Sequence, residues 1–240
     1  MKDRDILVAV AAIVLFALLT GQQSYETLYD FSFTFEEDMD GWTTGFADLP
    51  QDHEPDLYET ESGHGSLPSG IEGNGIYLKG HNRSDDLFMF LMRLIEGLKP
   101  ETTYSIMFTV DLASNTPAGM MGIGGSPGES VYVKVGAVGT EPEIVEDAGG
   151  WLRMSLDKGN QASEGEDMIN IGTISNPNID LNTFTGEEYA LMTLENHYYS
   201  FNVTSDSEGK IWVLLGTDSG FEGLTLVYYD SIEITLTENT

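Results

Sequence analysis

Phe33-Thr34-Phe35-Glu36-Glu37-Asp38-Met39-Asp40-Gly41-Trp42 stands near the start of the chain, and Thr225-Leu226-Val227-Tyr228-Tyr229-Asp230-Ser231-Ile232-Glu233-Ile234 stands near its end. The first stretch alternates apolar and polar residues up to Phe35, which predicts a strand over 31–35, and then breaks into an acidic turn that closes on Asp-Gly. The second alternates on both sides of Asp230, which predicts strands over 224–229 and 231–236. Between these ends the same pattern recurs at 75–79, 87–94, 104–110, 130–135, 151–156, 189–194, 198–203 and 210–215. Eleven short strands separated by loops rich in Gly, Pro, Asn, Asp and Ser predict an all-β, antiparallel sandwich. The long loops fall at 51–75, 114–129 and 159–182. Residues 85–97 are too continuously apolar for an amphipathic surface helix and are assigned to a buried strand.

Composition limits what such a sandwich can bind. Asp and Glu outnumber Lys and Arg by 40 to 10, giving a formal net charge of −30. A surface of that sign repels phosphate backbones, so nucleic acid is excluded as a partner. Cations, high salt or neutral polymers remain. Most of the carboxylates are expected to form a solvated coat, because like charges at this density need screening and salt shortens the Debye length from about 10 Å at 0.1 M to about 3 Å at 1 M. Apolar residues still make up 40% of the chain, enough for a core. Cysteine is absent, so disulfides, thiol catalysis and thiolate metal sites are excluded.

Residues 6–19, ILVAVAAIVLFALL, form an uninterrupted apolar run behind Lys2 and Arg4. Its length suits the core of a secretory signal and falls short of the roughly 20 residues that span a bilayer. Residues 1–24 are therefore expected to be a signal peptide, or an N-terminal membrane anchor over residues 6–21 if uncleaved. Residues 25–240 are expected to form a single domain, extracellular or at the cell surface.

The two terminal stretches resemble those of galactose-binding-like carbohydrate-binding modules. In that family a first strand ending in Phe-Glu leads through an acidic turn to Gly-Trp, and a last strand carries an Asp between alternating apolar residues. The resemblance covers about 25 residues. It implies a jelly-roll connectivity in which the first and last strands lie side by side, with a structural calcium near their junction. Chemistry points to the same place: calcium takes about six to eight oxygens at about 2.3–2.6 Å, and Glu36, Asp38 and Asp230 are the carboxylates these ends can bring together. A carbohydrate ligand, a polysaccharide or glycoconjugate, is the corresponding expectation for binding.

Sugar binding needs flat aromatic faces and hydrogen-bonding side chains. Trp42, Trp151, Trp212, Tyr58, Tyr77, Tyr198 and Tyr199 are the candidate aromatics. Trp42 and Trp212 are expected to be buried. Tyr58, in a polar loop, and Trp151, after Gly149-Gly150, are expected to be exposed. Asn160, Gln161 and Asn82 can supply hydrogen bonds, which makes Tyr58, Trp151, Asn160 and Gln161 the preferred ligand-binding set. No catalytic residues are assigned. Thr217-Asp218-Ser219-Gly220 resembles one catalytic turn of an aspartic protease, but that chemistry needs two such aspartates. The string reads instead as a tight hairpin between strands 210–215 and 224–229, with Gly220 and Gly223 at positive φ. Gly122 to Glu129 lacks the Lys-Ser or Lys-Thr of a phosphate loop and is expected to be a surface loop.

Overall fold

The computed structural model describes residues 28–196 and 201–239. The predicted signal or anchor, together with Tyr198 and Tyr199, lies outside them. No helix among the described residues is long and apolar enough to cross a membrane.

The strands are β1 Leu28–Phe33, β2 Thr43–Ala47, β3 Leu49–Pro50, β4 Glu61–Ser66, β5 Asn74–His81, β6 Leu87–Ile95, β7 Thr103–Ser114, β8 Val131–Val138, β9 Ile144–Glu146, β10 Trp151–Met154, β11 Met168–Thr173, β12 Ala190–Glu195, β13 Asn202–Thr204, β14 Ile211–Ser219 and β15 Leu224–Glu238. One four-residue helix, α1, covers Pro55–Tyr58. The first sheet runs β12-β7-β15-β5-β4, with β1 also on β15 and β13 also on β7. The second runs β11-β8-β14-β6-β2, and β3-β10-β9 form a small third sheet. All of the pairings are antiparallel.

Period-two alternation explains why the two large sheets meet face to face. From the first sheet, Ile76, Leu78, Phe108, Val110, Val227, Tyr229, Ile232 and Ile234 enter one core. From the second, Leu87, Met89, Leu91, Val131, Val133, Val135, Val213 and Leu215 enter the same core. The expected all-β antiparallel sandwich is therefore what these residues build, and the first and last strands do pair, Phe33 opposite Ile232 and Leu28 opposite Thr237.

The second sheet is apolar on its other face too. Phe88, Phe90 and Leu214 point away from the main core and pack with Ala47, Met154 and Met168 in a separate cluster. This second burial accounts for the unbroken hydrophobicity of β6, where a half-solvated strand would alternate. The stretch assigned to a buried strand is thus a central strand covered on both sides.

Two expectations about connections are corrected. β14 and β15 lie in different sheets, so residues 220–223 form a corner between layers and not a hairpin. Asn82 Nδ2 holds that corner by donating to Ser219 O at 2.8 Å and Phe221 O at 3.1 Å. Neither Gly220 nor Gly223 adopts positive φ. The strands expected at 224–229 and 231–236 are one strand with a bulge at Asp230, where the register on β7 shifts between Tyr229 and Ser231.

Candidate functional site

Tyr77 and Tyr228 lie opposite each other on the outer face of the first sheet, where β5 pairs with β15. Alternation puts them there: Ile76 and Leu78 flank Tyr77, Val227 and Tyr229 flank Tyr228, and those four are fully buried. The two rings sit 6.0 Å apart at a 46° tilt. Tyr189 meets Tyr228 edge to face at 5.6 Å. The three half-buried rings make a continuous aromatic surface.

A shallow groove of about 310 Å³ runs past Tyr77 and Tyr228 over Gly65, Ser66 and Leu226. Its depth comes from glycine on β4. Gly63 pairs with Tyr77, and a Cβ there would lie 2.9 Å from the Tyr77 ring. Polar groups rim the groove: Tyr77 Oη donates to Glu61 Oε1 at 3.0 Å, and Lys79 Nζ lies 3.7 Å from Glu61 Oε2. The hydrogen bond to Glu61, together with burial, raises the Tyr77 phenol above its ordinary pKa, and burial raises Tyr189 to about 12. Both hydroxyls therefore remain neutral donors and acceptors beside the rings. Flat apolar faces with fixed polar groups at the edge suit a ring that is apolar on its faces and hydroxylated around its rim.

A second feature lies on the outer face of the second sheet. An open cleft of about 320 Å³ is lined by Asp48, Asp86, Arg153, Lys158 and Asn160, among others. Residues 22–240 contain only eight Lys and Arg, and three of them converge under this cleft. Arg153 Nη1 lies 2.6 Å from Asp48 Oδ1 and 3.4 Å from Asp86 Oδ2. Lys158 Nζ lies 2.7 Å from Asp48 Oδ2 and 2.8 Å from Asp218 Oδ2, and Lys134 Nζ lies 3.1 Å from Asp218 Oδ2.

Burial tunes these groups. Burial first, then the charges of Asp48 and Asp218, push Asp86 up to about 7. Burial also acts on Asp218, but Lys158 and Lys134 outweigh it and its pKa falls below the ordinary value. Lys158 is held above its usual range by the three aspartates despite burial, whereas for Lys134 burial prevails and its pKa falls. The oxygens of Asp48, Asp86 and Asp218 lie within 4.8 Å of one another, but the protein's own ammonium and guanidinium groups occupy that space and neutralise the charge. Asp218 is fully buried beneath the cleft.

The four residues preferred for ligand binding separate. Tyr58 is buried, 5% exposed, as the last residue of α1. Its ring meets His53 edge to face at 5.5 Å and offers no free face, which corrects the expectation of exposure. Trp151 is half-buried on β10, with the Arg153 guanidinium 5.0 Å from its ring centroid. Asn160 is exposed at the charged cleft. Gln161 lies beside it with φ 47°, but its donors point inward, the backbone N–H to Asp218 Oδ2 at 2.9 Å and Nε2 to Asp85 O at 2.8 Å. Trp42 is buried as expected, whereas Trp212 is only half-buried. Tyr228, Tyr189 and the buried lysines were not singled out from sequence. A lone Lys inside Val131-Tyr132-Val133-Lys134-Val135 was the available signal for the last.

Among the carboxylates expected to bind calcium, Glu36 and Asp230 are neighbours. The Asp230 carboxyl is raised by burial, by Asp111 and by Glu36. Glu36 Oε2 accepts from the Asn74 N–H at 3.3 Å. Asp38 turns elsewhere: its Oδ1 accepts from the Asp40 N–H at 2.7 Å, and its charge acts on Arg93.

No protein-family model and no curated protein matches this sequence. Solved structures with a distant likeness to this chain include carbohydrate-binding modules and adhesin domains. The K1 cleaved adhesin domain of Lys-gingipain from Porphyromonas gingivalis is 12% identical, with 85% of this chain and 96% of that chain covered at a TM-score of 0.39. The mannan-recognising module TmCBM27 is 14% identical, with 90% and 100% covered at 0.39. TmCBM61, solved with β-1,4-galactotriose, is 10% identical, with 82% and 89% covered at 0.34.

Proposed function

We propose that this chain is a noncatalytic carbohydrate-binding module that works outside the cell or at its surface and takes a polysaccharide or glycoconjugate on the outer face of its first sheet. The observation that carries this reading is the Tyr77–Tyr228 pair, extended by Tyr189 and rimmed by Glu61, Lys79 and Ser66. Stacking on the rings removes the apolar face of a pyranose from water, while the rim exchanges hydrogen bonds with its hydroxyls. The open groove suits a chain that continues past the site at both ends. The acidic coat favours a neutral glycan over a sulfated or uronate-rich one, because like charges repel.

The same reading includes a structural calcium held by Glu36 and Asp230. Asp111 stands beside them, and what supports the ion is the crowding of carboxylates that raises Asp230. Asp38 is a candidate third ligand, although its Oδ1 already accepts from the Asp40 N–H.

A glycan microarray followed by calorimetry on the best ligand tests the function. Tyr228→Ala is expected to weaken binding at least about tenfold, equivalent to about 1.4 kcal/mol, with the melting temperature little changed. Trp151→Ala is expected to leave affinity intact. A blank array at high protein concentration, or equal affinity for Tyr228→Ala and the parent chain, overturns the reading.

A further inference from the structure

Lys134 and Asp218 sit on neighbouring strands of the second sheet, β8 and β14. Lys134 pairs with Gly216, so Asp218 is its diagonal neighbour on the same outer face. Gly216 carries no side chain to separate them. Both residues are fully buried, on the sheet face that also carries Phe88, Phe90 and Leu214.

Lys134 Nζ has three oxygen acceptors around it. Its Nζ donates to two backbone carbonyls, Lys158 O at 2.7 Å and Ser163 O at 2.8 Å. A neutral amine has two N–H groups, and both are used in this way. The third direction faces the Asp218 carboxyl, Oδ2 at 3.1 Å, where an ammonium donates its third N–H and a neutral amine places its lone pair. Oδ2 accepts from Lys158 Nζ at 2.8 Å and from the Gln161 backbone N–H at 2.9 Å, two donors aimed at the oxygen that gains charge when a nucleophile adds. Oδ1 is buried and without a hydrogen-bond partner, and Asp86 is the acid that neighbours the Asp218 carboxyl.

We propose that Lys134 and Asp218 condense to a side-chain amide, an intramolecular cross-link between β8 and β14, with Asp86 supplying the proton that turns Oδ1 into a leaving group. The Nζ lone pair forms the Nζ–Cγ bond, and the Cγ=O electrons move to Oδ2, held by Lys158 and Gln161. Oδ1 takes the proton from Asp86 and a second proton from the attacking nitrogen, relayed by the Asp86 carboxylate. The Cγ–Oδ1 bond then breaks, and one water leaves through the cleft above. With Lys134 in its reactive neutral form and Asp86 protonated, Lys158 and Arg153 balance Asp48 and Asp218. After it they balance Asp48 and the newly ionised Asp86, which has Arg153 Nη1 within 3.4 Å. Both states of the cluster are neutral, so the reaction leaves no uncompensated charge in the apolar layer. Burial that lowers Lys134 and holds Asp86 protonated near neutrality favours the reactive forms.

Mass spectrometry of the purified full chain tests this. A glutamate-specific protease cuts after Glu129 and Glu141, and after Glu208 and Glu222, releasing peptides 130–141 and 209–222. The expected product is one branched species of both peptides, lighter than their sum by one water, with fragmentation placing the bond between Lys134 and Asp218. Asp86→Asn is expected to fold, as judged by its melting transition, and to yield the two peptides separately. If Asp86→Asn does not fold, the parent chain's peptides alone decide. Separate peptides from the parent chain after prolonged incubation at neutral pH overturn the cross-link. A branch from peptide 147–164, which carries Lys158, overturns the choice of Lys134, and full cross-linking in a folded Asp86→Asn variant overturns the role of Asp86.

Discussion

Lys158 Nζ lies 2.7 Å from Asp48 Oδ2, tying the residue between β2 and β3 to the loop that follows β10. The same ammonium reaches Asp218 and lies 5.1 Å from the centroid of the Phe88 ring. It is the cation that allows carboxylates to exist on a face otherwise built of Phe88, Phe90, Met154, Met168 and Leu214. Removing one partner of a buried pair leaves the other charged in a poorly solvating place, which costs about 3–5 kcal/mol. Lys158→Met is therefore expected to lower the unfolding free energy from denaturant titration by that amount, with a lower midpoint, while Lys79→Met, which breaks only the exposed pair with Glu61, is expected to cost less than about 1 kcal/mol. Equal midpoints for the two variants would remove the argument.

Gly209 supports a different kind of prediction. Its φ is +76°, and a Cβ there would run into the carbonyl oxygen of Leu98, which itself receives no room to retreat because the Leu98 N–H donates to Gly209 O at 3.0 Å. Gly209→Ala combines backbone strain with a backbone collision and is expected to cost at least about 1–2 kcal/mol. Gly70 also has positive φ, at 96°, but a Cβ added there meets nothing within 4 Å. Gly70→Ala should show the strain alone, so the difference between the two melting shifts measures the collision.

Buried phenols set the alkaline limit of the fold. Burial raises Tyr104 to about 12, and its Oη accepts the Lys99 backbone N–H at 2.9 Å. Tyr189 is likewise raised to about 12. The native state binds these protons more tightly than the unfolded chain, whose tyrosines titrate near about 10. Their contribution is thus complete below about pH 10 and is lost as pH rises toward about 12. Spectrophotometric titration is expected to show a delayed class of tyrosines released together with unfolding. Tyr104→Phe should make stability fall less steeply across that range, and a single simple titration near pH 10 in the folded protein would contradict the assignment.

How far these features can be read from sequence depends on whether the determining contacts are local. Alternation alone puts Tyr77 outside, because Ile76 and Leu78 must face the core, and the same reasoning applied to Tyr228 gives the platform once β5 and β15 are known to pair. The pairing itself is a contact between residues some 150 positions apart, and no turn signal specifies it. Tyr58 is misread for a local reason: a single helical turn, Pro55–Tyr58, has no period to reveal which way its last ring points, and the ring tucks inward on His53. Lys134 is visible as an anomaly in an apolar strand. The charged cluster around it draws Asp48, Asp86, Arg153, Lys158 and Asp218 from distant parts of a chain with forty acids, so no spacing singles out Asp48, Asp86 and Asp218 from the solvated majority. The two-sided burial of β6 is legible as an unbroken apolar run, but what covers the far face, β10 and the loops around it, is not.

The pairing of β1 with β15 gives the calcium reading its sharpest consequence. Glu36 follows directly from the end of β1, past Phe35 with φ 56°, and Asp230 occupies the bulge of β15, so an ion between them would clamp the first strand to the last. A ligand bound only to the native state raises stability by RT ln(1 + [L]/Kd), about 2.7 kcal/mol at one hundred times Kd. Calcium at millimolar concentration is therefore expected to raise the melting temperature, and EDTA to reverse the rise. Asp230→Asn should abolish the calcium response, and because it also removes one of three crowded carboxylates it should melt no lower than the parent chain when both are in EDTA. Asp38→Asn should weaken the calcium response without abolishing it. If calcium leaves the melting temperature of the parent chain unchanged at moderate salt, Glu36 and Asp230 hold no ion, and the raised Asp230 carboxyl is relieved by protonation alone.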